Sequence, residues 1–293
     1  MLSILIPTYN YNVYPLVKIL KEQCDLENIV YDISVYDDCS NKIEAANNKI
    51  NSLKNCSYKY LEKNIGRSAI RNLLAREATY EILLFLDADT LPKKKNFINK
   101  YINSLKNNTE IIYGGIEYQK SKPDKKELLR WVYGKKREAL TVSERTKNKY
   151  LRFLTLNFII KKSVFSKIHF NEEILNYGHE DTLFALEAKK NNIKILHIDN
   201  IVLHLGLENS RKFLKKSKYA IDVLKELINN GFISPKQITL SKYANSIIQL
   251  GLRKIFLVTY NIFNKLVEKN LLSNNPSLFI FDIYRLAYYL NKK

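Results

Sequence analysis

Short apolar runs alternate with stretches of helical periodicity along the first half of the chain. The runs are rich in branched and aromatic residues, and they predict strands at 2–6, 31–36, 58–61, 82–86 and 111–113. The segments between them predict helices at 13–23, 43–53, 68–78 and 97–105. Strands that alternate with helices are typical of an α/β fold, in which helices flank a doubly wound, mostly parallel sheet.

The pattern changes in the second half. Residues 120–149 are highly charged and predict a loop and a helix, which we interpret either as an exposed helix or as a mobile basic lid. The alternation then returns, with strands at 158–160 and 193–198 around a helix at 180–190. Beyond residue 206 only helical spacing remains, at 213–228, 247–266 and 278–290. We therefore expect an α/β domain over residues 1–206 and a helical C-terminal region over residues 207–293.

Composition narrows the class of protein. With 46% hydrophobic residues the chain can bury a core, and its net charge of +19 favours anionic partners such as nucleic acid, a nucleotide, a phospholipid or an acidic glycan. Cys24, Cys39 and Cys56 have no metal-binding spacing, which fits a reducing compartment. The sequence shows neither a secretory signal nor an apolar window of about 18 residues, so we predict a cytoplasmic protein.

The most informative polar residues follow the apolar run at 82–86. Asp87 and Asp89 come directly after it, and the carboxyl ends of parallel strands border the crevice in which open α/β sheets bind ligands. Two carboxylates in that position suit a divalent cation held against phosphate oxygens. By itself the pair is weak evidence, because Asp-x-Asp is also common in turns.

Four further clusters stand at predicted strand ends or helix starts. They are Pro7-Thr8-Tyr9-Asn10, Asp37-Asp38-Cys39-Ser40, Asn64-Ile65-Gly66-Arg67 with Arg71-Asn72, and Gly178-His179-Glu180-Asp181. A tyrosine ring suits base stacking, and a carboxylate suits a base or ribose. Two arginines four residues apart share a helix face and suit a diphosphate. The ordinary interpretations are turns, helix caps and a surface helix.

Taken together, these motifs resemble family 2 glycosyltransferases of the GT-A fold. The resemblance rests on Ile-Pro-Thr-Tyr-Asn near the start, Asp-Asp-x-Ser after the second strand, Asn-x-Gly-x-x-x-x-Arg-Asn, and Asp-Ala-Asp. Their order and spacing match over roughly the first 200 residues. The resemblance implies an inverting, metal-dependent transfer of a sugar from a nucleotide donor, foremost a UDP-sugar, to the hydroxyl of a glycan or lipid-linked glycan.

The resemblance also implies a role for individual residues. The expected nucleotide-sugar contacts are Pro7, Thr8, Tyr9, Asp38, Gly66, Arg67, Arg71 and Asp87. Asp89 and His204 are the expected protein ligands of Mn²⁺ or Mg²⁺. Asp181 is the expected general base, which the N-terminus of its helix helps to keep ionised, and Glu180 is expected to orient the acceptor or the sugar.

Several alternatives stay open. A basic nucleic-acid-binding protein and a nucleotidyltransferase of similar topology are the alternative functions, although the sequence shows no basic–aromatic nucleic-acid module and no glycine-rich phosphate loop. The aromatic helix at 278–290 either lies in an anionic membrane interface, at the inner face of the cell membrane, or packs against its own domain or a partner subunit. An acceptor pocket is expected near Gly114-Gly115, Tyr177-Gly178 and residues 120–149.

Overall fold

The computed structural model describes residues 1–42, 44–105, 109–174 and 178–292, so Ile43 and Tyr177 of the predicted elements lie outside the described residues. The chain divides into two compact units. The sheet unit comprises the described residues of Met1–Gln119, Glu138–Leu175 and Glu180–Gly206. The helical unit comprises those of Lys120–Arg137, Asn176–His179 and Leu207–Lys293.

Most of the predicted strands and helices are present with shifted ends. The strands are β1 (Leu2–Thr8), β2 (Tyr31–Asp37), β3 (Cys56–Tyr60), β4 (Ile82–Leu86), β5 (Thr90–Pro92), β6 (Ile111–Tyr113), β7 (Ile116–Tyr118), β8 (Asn157–Lys161), β9 (Ile195–His197) and β10 (Val202–His204). The helices are α1 (Tyr14–Leu26), α2 (Gly66–Glu77), α3 (Phe97–Ser104), α4 (Leu128–Tyr133), α5 (Val142–Thr146), α6 (Lys162–Phe165), α7 (Glu180–Lys190), α8 (Ser210–Asn229), α9 (Thr239–Gln249), α10 (Arg253–Leu271) and α11 (Leu278–Asn291).

One predicted helix takes a different form. Ala45–Ser52 is a 3-10 helix, where the sequence predicts an α-helix over 43–53. Its asparagines bond to neighbouring segments: Asn47 accepts from the Val13 backbone N–H, and Asn51 accepts from the Tyr58 backbone N–H. Asparagine side chains that bond to backbone groups compete with α-helical hydrogen bonding, which explains the tighter, shorter form.

The main sheet has the predicted doubly wound, mostly parallel character. Its strand order is β3-β2-β1-β4-β8-β6-β9. The pairs β1–β2, β1–β4, β2–β3 and β6–β9 are parallel. β8 is the exception, since it runs antiparallel to both β4 and β6. The apolar run at 158–160 predicts the strand, but a run of buried residues does not indicate the direction in which it pairs.

A second, three-stranded sheet with the order β5-β10-β7 controls the position of the candidate site. Its central strand β10 pairs antiparallel with β5, so that His204 lies opposite Thr90. Because Thr90 directly follows Asp89, this register brings the end of β10 to the end of β4. The backbone N–H of Leu205 then donates to the carbonyl of Asp89 at 2.8 Å.

An aromatic cluster packs against β4 on one face of the main sheet. Phe85 stacks on Phe158 with 4.9 Å between ring centroids, and Phe170 stacks on Phe184 at 4.4 Å. Phe165 contacts both pairs, and all of these rings are buried. Packed aromatic rings of this kind bury large areas in fixed geometry, which makes the strand end above them a rigid platform.

The helical unit contains α4 and α8–α11, and it corrects two predictions. The helix predicted over 247–266 is present from Arg253 onward as α10, but it is not continuous, because the chain breaks between α9 and α10 at Gly251, where φ is +71°. The charged stretch after residue 120 is also not simply an exposed helix, because Leu129 of α4 is fully buried in a cluster with Phe213 and Phe281.

The last helix, α11, packs within the helical unit. Phe281, Tyr284, Ala287 and Leu290 are all buried, and they line the side of α11 that meets α8, α9 and α10. Packing on its own domain is therefore the alternative that the structure supports for this helix. Among the described residues, every helix is too short or too polar to cross a membrane.

Candidate active site

The loops after β1 and β2 are joined by side-chain hydrogen bonds. The Asn10 backbone N–H donates to Ser40 Oγ at 2.6 Å, and Asn41 Nδ2 donates to Tyr9 Oη at 3.0 Å. Thr8 is buried, and its hydroxyl donates to the Tyr11 carbonyl at 3.3 Å. Pro7 lies inside β1, opposite Tyr36, where a turn residue ending the strand was expected. Tyr9 leaves 46% of its surface exposed, as a stacking platform requires.

Asp37 and Asp38 are adjacent in sequence but accept hydrogen bonds from different parts of the protein. Asp37 is fully engaged, since Oδ1 accepts from the Ser40 backbone N–H at 2.8 Å and Oδ2 from the Tyr58 hydroxyl at 2.8 Å. Asp38 turns to the start of α2 and accepts from the backbone N–H groups of Ile65 at 2.7 Å and Gly66 at 3.0 Å. Burial raises the pKa of Asp38, and these two donors oppose the rise.

Gly66 permits that contact because its φ is +86°, a conformation that other residues rarely adopt. The first turn of α2 is thereby held against the end of β2. Each Asp38 oxygen keeps a second lone pair, so the carboxylate can still accept from a bound ligand. The predicted nucleotide contacts Asp38 and Gly66 therefore belong to one hydrogen-bonded unit.

Arg71 and Asp87 form the shortest charged contact of the site. Arg71 Nη2 lies 2.6 Å from Asp87 Oδ1, and the arginine is almost fully buried. Its guanidinium lies over the Phe170 ring, with 5.5 Å between Cζ and the ring centroid. Burial favours protonation of Asp87, but the positive charges of Arg71 and Arg67 outweigh it and lower the pKa of Asp87. Asp87 is consequently an anion fixed in position.

Asp89 and His204, the two expected metal ligands, lie close together. Asp89 Oδ2 lies 3.5 Å from His204 Nε2. Gly206 lies against the same carboxylate, because a Cβ atom at this position would overlap Asp89 Oδ2. Tyr11 is close enough to be affected as well: burial and the negative charge of Asp89 raise the pKa of its phenol. Asp89 and His204 thus place a carboxylate oxygen and an imidazole nitrogen side by side at the end of β4.

The donors present fit a divalent cation that is shared with a ligand. A carboxylate and an imidazole are ligands that Mn²⁺ accepts readily, whereas Mg²⁺ prefers oxygen alone. No group of three or more His, Cys, Asp or Glu side chains suited to a metal occurs among the described residues. A cation held by Asp89 and His204 would take its remaining ligands from phosphate oxygens and water.

Asp181 lies at the start of α7 beside Thr155. The Thr155 hydroxyl donates to Asp181 Oδ1 at 2.6 Å, and Thr155 itself is only 2% exposed. Burial and the negative charge of Glu180 raise the pKa of Asp181 to about 7, against the lowering effects of Thr155 and Arg71. The expectation that the helix N-terminus keeps this carboxylate ionised is thus outweighed by desolvation and a like charge.

Glu180 lies beside Arg67, one of the predicted nucleotide-sugar contacts. It is buried, and its Oε1 lies 3.5 Å from Arg67 Nη1. The side chain of Arg67 is far more exposed than that of Arg71. The ion pair links the start of α2 to the start of α7, which places the predicted donor and acceptor sides next to each other.

The charges of the site form one coupled group. Arg71 and Asp87 both affect the pKa of Asp181, and His204 affects that of Asp87. Arg71 lies beside Asp87, Arg67 beside Glu180, and Asp89 beside His204. The structure thus gathers polar residues from α2, the end of β4, the start of α7 and the end of β10. His197, by contrast, is a buried strand residue whose Nε2 lies 2.8 Å from the Lys149 carbonyl, and burial lowers its pKa to about 4.

Sequence reasoning missed four residues of this region. Thr155, Gly206 and Tyr11 contact or influence the predicted acidic residues, as described above. Arg145 is 2% exposed and donates to the Ile198 carbonyl at 2.9 Å, which holds the ends of β6 and β9 together. Gly206 follows His204 by two positions, and that proximity is the one signal that the sequence offers for any of them.

The structure is similar to those of known GT-A glycosyltransferases, which confirms the predicted fold. A mannosyltransferase from Pyrobaculum calidifontis, PcManGT, solved in complex with GDP-Man and Mn²⁺, is 13% identical, with a TM-score of 0.58; the match covers 98% of this chain and 85% of that one. S. aureus TarS is 20% identical, with a TM-score of 0.51 over 78% of this chain. This match spans only 40% of the TarS chain.

A family assignment follows from the sequence as well. The model for glycosyl transferase family 2 matches residues 3–172, and the chain belongs to that family. The match includes the motifs at Thr8, Asp38, Arg71 and Asp89 and ends before Asp181 and His204. No curated protein sequence matches the chain significantly.

Proposed function

We propose that this protein is an inverting, metal-dependent glycosyltransferase that moves a hexosyl or N-acetylhexosaminyl group from a nucleotide donor, foremost a UDP-sugar, to a hydroxyl of a glycan or lipid-linked glycan. The observation that carries the proposal is the position of Asp181. A carboxylate with a pKa of about 7 shares a site with the anion Asp87 and the guanidinium of Arg71. A base with a pKa near the working pH is suited to general-base catalysis.

The donor nucleotide binds along the carboxyl ends of β1, β2 and β4 in this proposal. Tyr9 stacks on the base, while Asp38 accepts from the base and Thr8 borders it; Pro7 and Gly66 shape the two loops. Arg67 and Arg71 attract the diphosphate, and the fixed Asp87 carboxylate accepts from the ribose or from metal-bound water. Support comes from the contacts among these loops and from the short ion pair between Arg71 and Asp87.

Asp89 and His204 would hold Mn²⁺ or Mg²⁺, with the donor supplying further oxygens. When bound, the cation would neutralise charge on the diphosphate leaving group. The Mn²⁺ in the PcManGT complex supports this proposal, and so does the imidazole of His204, which favours Mn²⁺. The space that Gly206 leaves beside Asp89 keeps the carboxylate accessible to the ion.

Asp181 performs the proton transfer. Its ionised carboxylate accepts the proton of an acceptor hydroxyl while that oxygen bonds to the anomeric carbon and the bond from this carbon to the diphosphate breaks. The products are the extended glycan and a nucleoside diphosphate. Thr155 fixes Oδ1 of the base, so that Oδ2 is directed to the acceptor, and Glu180 orients the acceptor through its position between Arg67 and Asp181.

The net charge of +19 favours an anionic glycan or a glycan carried on an anionic lipid, as in polysaccharide biosynthesis at the inner face of the cell membrane. We retain a cytoplasmic location, which the three unpaired cysteines Cys24, Cys39 and Cys56 support.

The test is a donor screen with and without Mn²⁺. Purified protein is incubated with a panel of UDP- and GDP-sugars, and release of nucleoside diphosphate is followed together with thermal stabilisation by each donor. We expect one donor to stabilise the protein in the presence of Mn²⁺ and to be turned over, and Asp181→Asn to abolish turnover while binding persists. Turnover that survives in Asp181→Asn would exclude Asp181 as the base.

A further inference from the structure

Helix α10 in the helical unit carries an exposed apolar stripe. Ile255, Val258, Ile262 and Leu266 recur every three or four residues, so they share one helix face, and Phe263 extends that face. These five side chains, which we call the α10 stripe, are between 50% and 70% exposed. Single exposed apolar residues are common on proteins, but a continuous row of this size marks a contact surface.

The stripe continues past the start of the helix. Ile248 at the end of α9 and Leu250 and Leu252 in the α9–α10 turn are also exposed. Gly251, with φ of +71°, makes this turn tight enough to present the two leucines on either side of it. The exposed apolar surface therefore runs from the tip of the turn along three turns of α10.

The opposite face of α10 accounts for the folding of the helix. Leu271 is fully buried, and Tyr260 and Val267 pack on the same apolar cluster as Phe281. The stripe is consequently not needed to hold α10 in place. A soluble helix normally has a polar outer face, so an apolar outer face points to a role in binding.

Lysines border the stripe. Lys254, Lys265 and Lys269 are exposed and lie three or four positions from Val258, Ile262 and Leu266 respectively, along one edge of the stripe. Glu268 is the one acidic residue in the sequence of α10. Residues 207–293 as a whole contain fifteen Lys or Arg and five Asp or Glu. An apolar face with a lysine edge is the pattern of helices that lie in a lipid interface.

We propose that the α10 stripe and the α9–α10 turn dock onto an anionic lipid bilayer, with the apolar side chains in the headgroup region and Lys254, Lys265 and Lys269 against the lipid phosphates. This moves the membrane contact from the helix at 278–290, most of whose aromatic side chains are buried or half-buried, to α10. A second copy of the chain fits the surface less well, because it carries the same lysine edge and the same net charge of +19, so the two copies would repel each other. Anionic lipid would instead neutralise the lysines and the net positive charge. The proposal is independent of the proposed glycosyl transfer.

Vesicle cosedimentation tests it without donor or acceptor. The full chain is mixed with vesicles of phosphatidylglycerol and phosphatidylcholine in equal parts, and with vesicles of phosphatidylcholine alone. We expect binding to the anionic vesicles that weakens with salt. Ile262→Ser/Leu266→Ser should reduce the partition constant by about tenfold or more, and Lys265→Gln/Lys269→Gln by about tenfold with a flatter salt dependence.

The matched control is Leu26→Ser/Val30→Ser, which removes two similarly exposed aliphatic side chains from the sheet unit and should leave vesicle binding unchanged. Circular dichroism should show that all variants are folded, since the substituted side chains are exposed. The proposal is wrong if the parent protein does not bind anionic vesicles, if it binds neutral vesicles equally well, or if both aliphatic variants lose binding alike. It is also wrong if light scattering shows a dimer that only Ile262→Ser/Leu266→Ser dissociates and vesicles are not bound, since the stripe is then a self-association surface.

Discussion

Asp89 and His204 come from distant parts of the sequence, yet 3.5 Å separates Asp89 Oδ2 from His204 Nε2. The antiparallel pairing of β5 with β10 creates this proximity, because it sets His204 opposite Thr90. The small sheet thus brings together, at the end of β4, the two residues that we propose as metal ligands.

We expect Asp89→Asn and His204→Gln each to raise the Mn²⁺ concentration needed for half-maximal activity by about 10- to 100-fold or more, since the loss of a residue that merely supports a metal ligand already costs that much. Water-proton relaxation of Mn²⁺ with nucleoside diphosphate and protein measures binding directly, without turnover. The exposed His169→Gln is the matched control and should change neither quantity. Equal Mn²⁺ affinity in all three variants would show that Asp89 and His204 do not bind the metal.

Gly206→Ala should weaken binding at the proposed metal site, although Gly206 is not itself a proposed metal ligand. The added Cβ atom would overlap Asp89 Oδ2, so the carboxylate must rotate or the loop must move. We expect Mn²⁺ affinity to fall by about tenfold, an effect of the size seen when groups supporting a metal ligand are removed. Isothermal titration with Mn²⁺ and nucleoside diphosphate measures the change.

Gly231→Ala is the control for Gly206→Ala. Its Cβ atom meets no neighbour, although φ of +77° makes alanine strained there. It should lower the free energy of unfolding by about 1 kcal/mol and leave Mn²⁺ affinity intact. If both glycine variants retain parental affinity, the space at Gly206 is not required for the metal.

Thr155→Val should shift the pH dependence of the reaction. The threonine hydroxyl stabilises the ionised form of Asp181, so its loss raises the pKa of the base further, by about one unit for a hydrogen bond to a charged group. The acidic limb of the profile of kcat against pH should therefore move to higher pH, with little change well above it. Thr155→Ser keeps the hydroxyl and should keep the parental profile. A uniform loss of activity at all pH values would indicate a packing role instead.

Asp181→Asn should make the protein more stable at alkaline pH while abolishing transfer. The pKa of Asp181 is raised to about 7 in the folded chain, so the folded state holds this proton more tightly than the unfolded one. The resulting stabilisation is complete below about pH 4 and is lost as the pH rises through about 7. Asparagine carries no charge. At pH 8.5 the free energy of unfolding of the variant should therefore be about 2 kcal/mol higher than that of the parent.

Urea unfolding at pH 5 and about pH 8.5 measures the difference, which should be larger at the higher pH. Asp199→Asn is the control, since this carboxylate is 60% exposed and should show no such pH-dependent gain. A parent and an Asp181→Asn variant of equal stability at both pH values would show that Asp181 is not desolvated.

Local patterns sufficed to predict the seven strands of the main sheet and most of the helices, but not the three-stranded small sheet. β4 and the carboxylates after it follow from a run of apolar residues and two acidic residues beyond its end, and family membership supports the order of the motifs. The antiparallel direction of β8 could not be predicted this way, since pairing partners of a buried strand leave no local trace. The break at Gly251 was missed because apolar residues on both sides continue the helical spacing.

By itself the sequence determined which residue types stand at the ends of which elements, because backbone propensity and hydrophobic periodicity act over a few neighbouring residues. Only the tertiary structure decided which of them meet. In the folded chain Asp37 accepts from the Tyr58 hydroxyl, Asp38 accepts from the Gly66 backbone N–H, and Thr155 donates to Asp181. One side of α11 is buried, whereas the α10 stripe is exposed. Desolvation, charge coupling and the covering of a helix face depend on residues far apart in the chain, and those are set only when the chain folds.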